Sequence, residues 1–164
     1  MRIPTGTFKV PRQCLENSEH LSLSDFVCRK ELVKDGKVPG RVGVFVARVE
    51  DSLSASLDHK SFEYLLRYSI CARLTQALAE WMQETSLQGV FGQMHDGLDC
   101  QLKVIRPAFG YPVCPDHSHK RTAIKLLDAE KELGVRLTQT DAIVPVTSVC
   151  GLLICHPEAK LFDI

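Results

Sequence analysis

The residues best able to do chemistry in this chain are crowded into one stretch. Arg106, Tyr111, Cys114, Asp116, His117 and His119 all lie within the fourteen-residue string RPAFGYPVCPDHSH. Turns constrained by proline and glycine punctuate the string, which suits a ligand loop and a rigid surface turn about equally, because Pro and Gly serve both. As a ligand loop, Arg106 grips a carboxylate through two parallel hydrogen bonds, Gly110 lets a ligand approach the backbone, and Tyr111 offers a ring face with a polar tip. As a plain turn, its arginine pairs with a neighbouring acid. Cys114, His117 and His119 have the short spacing of metal ligands, but a closed zinc site needs four N or S donors and no second cluster supplies the fourth. A nucleophilic Cys114 needs a base and an electropositive pocket, and the sequence places neither beside it. There is no phosphate-binding glycine loop, no G-x-S-x-G and no H-E-x-x-H, so P-loop, Rossmann and hydrolase chemistry have no residues to rest on.

Elements on both sides must hold this loop in place. Upstream, residues 41–50 carry VGVFVARV, apolar and β-branched at nearly every position, as expected of a strand covered on both faces. From 58 to about 84, Phe62, Leu65, Leu66, Ile70, Leu74, Ala77, Leu78 and Trp81 recur at three- and four-residue steps, which predicts a long amphipathic helix. Gly89, Gly92 and Gly97 turn the next stretch into a loop. Downstream, a second helix is predicted over 118–133, capped by Asp116 or Ser118, with Ile124 and Leu127 in its buried stripe and Gly134 as its left-handed stop. Three β-rich segments follow at 135–138, 142–146 and 149–155, and their short connections favour antiparallel pairing. Near the N-terminus, residues 8–10 suggest an edge strand, Ser22, Ser24 and Asp25 suit a turn or helix start, and Asp35-Gly36 and Pro39-Gly40 are turn dipeptides. The expected fold is α+β: one domain over residues 1–164, a mostly antiparallel twisted sheet with helices packed on it.

Bulk properties agree with a single ordinary domain. The chain has 164 residues, 45% of them hydrophobic, and 20 basic against 20 acidic side chains. At that size a core forms without disulfides or a structural metal. Zero net charge removes the long-range field that non-specific nucleic-acid or membrane binding uses. No apolar run is long enough to span a bilayer and no leader peptide is evident, so a cytoplasmic location is expected. The seven widely spaced cysteines then read as small buried hydrophobes in a reducing compartment.

Taken as continuous strings, IRPAFGYPVCPDHSHK, LLDAEKELGVRLTQTDAIVP and SVCGLLICHPEAKLF resemble the activation domain of cobalamin-dependent methionine synthase. HLSLSDFV and ARLTQALAE are similar to two upstream segments of that family, so the likeness covers most of the chain. The resemblance implies a site for S-adenosylmethionine, which in the family methylates cob(II)alamin carried on a separate domain while a flavodoxin-type donor supplies one electron. Residue by residue, it implies that Arg106, Gly110 and Tyr111 form the ligand motif, that Ala108 adds backbone contacts and that Asp25 is the acidic ligand residue. The ligand's ammonium, sulfonium and carboxylate suit an Asp and an Arg at opposite ends.

The chain departs from the family pattern in several places. Gln76 stands where the family's helix has a glutamate of the ligand shell, Leu161 where a tyrosine is expected, and Cys100 where an acid precedes the arginine. Each change removes a charge or a hydroxyl, and losing one charge-assisted hydrogen bond costs roughly 1.5–3 kcal/mol. The sequence also lacks D-x-H-x-x-G, the family's cobalamin-ligating signature, and ends where the family continues into a helical tail. It is therefore expected to act on a corrinoid protein supplied in trans and to be insufficient alone for methionine synthesis. The competing expectations are a degenerate module that docks on a corrinoid or methyltransferase partner without binding S-adenosylmethionine, and a small metal protein using Cys114, His117 and His119.

Overall fold

The computed structural model describes residues 7–14, 16, 19–27, 42–50, 57–89 and 102–163. The turn dipeptides at 35–36 and 39–40, Gly92, Gly97, Cys28 and Cys100 lie outside them. Strand β1 (Val42–Ala47) is followed by helix α1 (Phe62–Gln88), strand β2 (Lys103–Ile105), helices α2 (His119–Leu126) and α3 (Ala129–Leu133), and strands β3 (Arg136–Leu137), β4 (Ile143–Val144) and β5 (Val149–His156). This is the α+β arrangement expected from the order of patterns.

Strand β5 is the centre of the molecule. It runs antiparallel to β1 on one side and to β2 on the other, giving the order β1-β5-β2. Strands β3 and β4 form a separate antiparallel ribbon. The antiparallel expectation for the last three segments thus holds for β3 with β4, whereas β5 leaves them to pair with strands distant in sequence. Its central position explains its run of apolar residues, since both faces are covered. On one face Cys150, Leu152 and Ile154 join Phe109, Val113, Cys114, Ala123 and the 3-10 turn Leu23–Phe26 in the main core. On the other face Leu153 meets Phe45 and Ala79 of α1.

Helix α1 begins at Ser61, whose hydroxyl accepts from the Tyr64 amide, and continues for 27 residues. Its packing reverses what an amphipathic stripe ordinarily does. The side turned to the sheet is made of Cys71, Thr75, Ala79 and Ser86, with Ala79 fully buried. The apolar stripe points outward: Phe62 is 80% exposed, Leu74 51% and Trp81 61%. Small side chains let the helix backbone lie close to β1, β2 and β5, and a large residue in their place does not fit.

The second predicted helix is two. Asp128 takes a left-handed conformation (φ 49°) that ends α2 and starts α3, and Gly134 (φ 62°) stops α3 as expected. Ile124 is buried, but Leu127 falls at the break and is exposed. Ser118 makes no side-chain cap, while Asp116 Oδ1 accepts from the Ser118 amide at 2.8 Å. Residues 8–10 form no strand; Phe8 instead stacks on Phe109 with ring centroids 5.5 Å apart.

Candidate functional site

The chemically dense loop is built onto the edge of β5. Beyond β2, the chain continues the same pairing: Ala108 bridges Gly151, Leu152 N–H donates to the Pro107 carbonyl at 2.9 Å, and Phe109 N–H donates to the Cys150 carbonyl at 3.1 Å. Gly151 makes this approach possible. A Cβ there would run into the Pro107 carbonyl and come within 2.8 Å of Ala108 Cα. Phe109 is then pinned in the core between Phe8 and the His119 ring. The chain next reverses in a tight turn, with Gly110 N–H donating to the Cys114 carbonyl and Cys114 N–H to the Tyr111 carbonyl.

Gly110 does something other than admit a ligand. Its φ of 100° is left-handed, and a Cβ there would lie 2.5 Å from Cε1 of His117. The space over this glycine therefore belongs to the His117 ring.

This construction opens a cavity of about 280 Å³ beside the loop. Arg106, Ala108, Tyr111 and Gln76, four of the six residues singled out from sequence, line it. Neither Gly110 nor Asp25 is among its lining residues. Both Asp25 oxygens accept from the Arg12 guanidinium at 2.7 Å, and Oδ2 also accepts from the Ser22 amide, so this carboxylate caps the 3-10 turn. The acid that lines the cavity is Asp163, with Leu161 and Phe162 beside it. No motif marks Asp163 in the sequence; only the return of the chain after β5 brings it there.

The electrostatics of the cavity centre on Arg106. Its guanidinium lies 5.8 Å from the centroid of the Phe45 ring, at the outer edge of a cation–π contact. Its Nε is buried with no hydrogen-bond partner in the protein. An unsatisfied buried donor on a cation is costly, and the same residue lines the cavity. Gln76 has its amide nitrogen 3.0 Å from Glu80 Oε1 and leaves its carbonyl for other contacts. Tyr111 is exposed and stands as one wall.

A second cavity of about 240 Å³ shares Gln76, Ala108, Tyr111 and Val149 with the first. Lys120 and Cys150 line it. Lys120 Nζ donates to His117 Nδ1 at 2.7 Å and to the Asp141 carbonyl at 3.4 Å. Burial lowers its pKa, and the attraction of Cys150 and Asp141 only partly offsets this.

The metal reading does not assemble. Cys114 is buried in the core, His117 Nδ1 faces Lys120, and His119 Nε2 lies 2.8 Å from the Lys9 carbonyl. Among the described residues no three His, Cys, Asp or Glu side chains come together in a metal-binding group. Burial also pushes the Cys114 thiol up to about 11, with the nearby Asp116 charge adding to the rise, which makes it a poor nucleophile.

An antiparallel sheet with the Arg106–Cys114 loop stitched to its central strand, and a cavity lined by an arginine, a tyrosine and a helix amide, define an α+β domain with a candidate small-molecule site. Its family is also established. Residues 4–164 match the family described as vitamin B12 dependent methionine synthase, activation domain, and the chain belongs to it. The fold is similar to a crystal structure of the MetH reactivation domain bound to AdoHcy, with a TM-score of 0.76 and 30% sequence identity over 94% of this chain. The chain spans 50% of the length of that protein. Among the described residues no helix is long and apolar enough to cross a membrane.

Proposed function

We propose that this domain binds S-adenosylmethionine in the cavity beside the Arg106–Tyr111 loop and presents it to a reduced corrinoid carried by a partner protein. The observation that carries this reading is Arg106, a cavity-lining cation whose Nε is buried without a partner, in the loop that resembles the family's ligand motif. Family membership and the likeness to a reactivation domain with AdoHcy bound support it. When bound, the ligand supplies an electrophilic methyl group, and a flavodoxin-type donor supplies the electron that keeps the corrinoid reactive. The domain's own task is positioning in a site of fixed charge, which needs no general acid or base.

Each lining residue has a place in this scheme. Arg106 holds the ligand carboxylate by a charge-assisted hydrogen bond. Asp163 is the acid in the lining, and it takes the ammonium or sulfonium charge assigned from sequence to Asp25. Tyr111, Pro107, Val149 and Phe162 provide apolar walls for a flat base, and Ala108 offers backbone groups at its edge. Two neighbouring cavities that share Gln76, Ala108, Tyr111 and Val149 suit a ligand made of a nucleoside and an amino-acid arm. Docking without any ligand is the weaker reading, because a degenerate module has no reason to keep the cavity and its unsatisfied arginine.

Isothermal titration with S-adenosylmethionine and S-adenosylhomocysteine tests the assignment. Arg106→Gln is expected to weaken both at least about tenfold, or about 1.4 kcal/mol. Asp25→Asn should leave both within about twofold, while Asp163→Asn weakens both if it holds the ammonium and only the sulfonium compound if it faces sulfur. Unchanged affinity in a folded Arg106→Gln protein rules the site out.

A further inference from the structure

The outward stripe of α1 has no part in the cavity. Phe62, Leu66, Ile70, Leu74, Leu78 and Trp81 are all exposed, on the side of the helix away from the sheet. Placed on a helical wheel, they spread over a broad sector on the side away from Thr75 and Ala79, which they share with Glu63, Arg67, Arg73, Glu80 and Glu84, while the exposed Leu65 and Tyr68 lie outside it. The stripe runs about 29 Å along the axis, from residue 62 to 81 at 1.5 Å per residue. Six large apolar side chains exposed along one side of a single helix are the kind of surface that marks an interaction site.

Charge along the helix indicates what covers it. Its N-terminal half and cap region carry Lys60, Arg67 and Arg73 against Asp58 and Glu63, while the C-terminal half carries Glu80 and Glu84 and no base. One end is therefore net basic and the other net acidic. Two copies packed side by side and antiparallel place each basic half against an acidic half, whereas parallel packing sets like against like. A two-fold axis near the middle of the stripe also makes the apolar residues self-complementary: Leu66 comes opposite Leu78, and Ile70 opposite Leu74. Self-complementarity of this kind is what a two-fold interface requires.

We propose that a second copy of this chain covers the stripe, forming an antiparallel two-fold dimer through α1. Ala72, Thr75 and Gln76, the α1 residues that line the two cavities, lie outside that sector of the helix, so the dimer leaves both ligand sites open. The inference is independent of what the cavity binds.

Trp81 is the chain's one tryptophan and reports directly on this surface. Sedimentation equilibrium from micromolar to several hundred micromolar protein is expected to show a monomer–dimer equilibrium, with a blue shift of tryptophan emission as dimer forms. Leu74→Glu replaces a side chain that is exposed in the monomer, so it should keep the circular dichroism of the parent and remain monomeric throughout. Arg67→Glu/Arg73→Glu and Glu80→Lys/Glu84→Lys should each be monomeric alone and form a one-to-one dimer when mixed. A parent protein that stays monomeric over the whole range overturns the proposal, as does a dimer that survives Leu74→Glu.

Discussion

The Arg106–Cys114 loop and helix α1 both lie against strand β5, yet they use it in opposite ways. The loop buries its large side chains, Phe109 and Val113, and exposes Arg106 and Tyr111 to a cavity. The helix buries small side chains and exposes its large ones. Close backbone approach is the reason in both cases. Gly151 lets the loop backbone lie on the strand, and Ala79 and Thr75 let the helix axis come near it. The lesson is that packing distance, as well as hydrophobicity, decides which residues point inward.

The largest effect should come from removing that close approach on the loop side. Gly151→Val forces the Pro107–Ala108 backbone away from β5 and is expected to cost at least about 3 kcal/mol, seen as a lowered midpoint in urea unfolding. If the variant unfolds like the parent, the loop does not depend on this contact.

The helix side gives a paired test. Ala79→Leu overfills the contact with Phe45 and Leu153 and should cost about 1–3 kcal/mol. Leu74→Gln on the outer stripe should change the stability of dilute monomer by no more than about 0.5 kcal/mol. An amphipathic helix packed in the usual sense gives the reverse order, so this pair of measurements decides which face is buried.

Gly110→Ala comes next. It places a Cβ against the His117 ring at a left-handed φ, with an expected cost of about 1–3 kcal/mol. Because the strain falls on the turn between Ala108 and Tyr111, ligand affinity should drop further than stability does.

The smallest effect concerns the thiols around the loop. Burial pushes Cys114 up to about 11 and Cys150 up to about 12, the latter moderated by Lys120. At pH 8 only roughly one part in a thousand of Cys114 is thiolate, so iodoacetamide should label the exposed Cys14 long before Cys114 or Cys150, as mapped by mass spectrometry. The native state holds these protons more tightly than the unfolded chain, whose thiols ionise near 9.0. Stability should therefore fall as pH rises above about 9, and a Cys114→Ala/Cys150→Ala protein should show a flatter alkaline limb.

Much of the site was legible from local pattern. Arg106, Ala108 and Tyr111 lie in one string, and a string with turns at fixed offsets keeps its residues together wherever the fold carries it. Gln76 was reachable only through the family likeness of its helix segment. Asp163 was not legible, because it reaches the cavity only after β5 has crossed the sheet, and nothing local distinguishes it from a solvated acid. Asp25 shows the opposite case. Its segment matches a pattern, while its carboxylate caps the turn with Ser22, pairs with Arg12 and is not in the cavity lining.

By itself, the sequence determined the elements whose causes are local: β1, α1, the β3–β4 ribbon, the Gly134 stop and the turn-rich loop. It also determined the family, since a long ordered string carries more information than composition does. Tertiary structure alone decided that β5 sits between β1 and β2, that Asp128 divides the second helix, that Asp163 lines the same cavity as Arg106, and that α1 turns its small face inward. Hydrophobic periodicity records which residues share a face of a helix. How near that face can come to a neighbouring strand depends on the volume left between two backbones, and that is fixed only when both are in place.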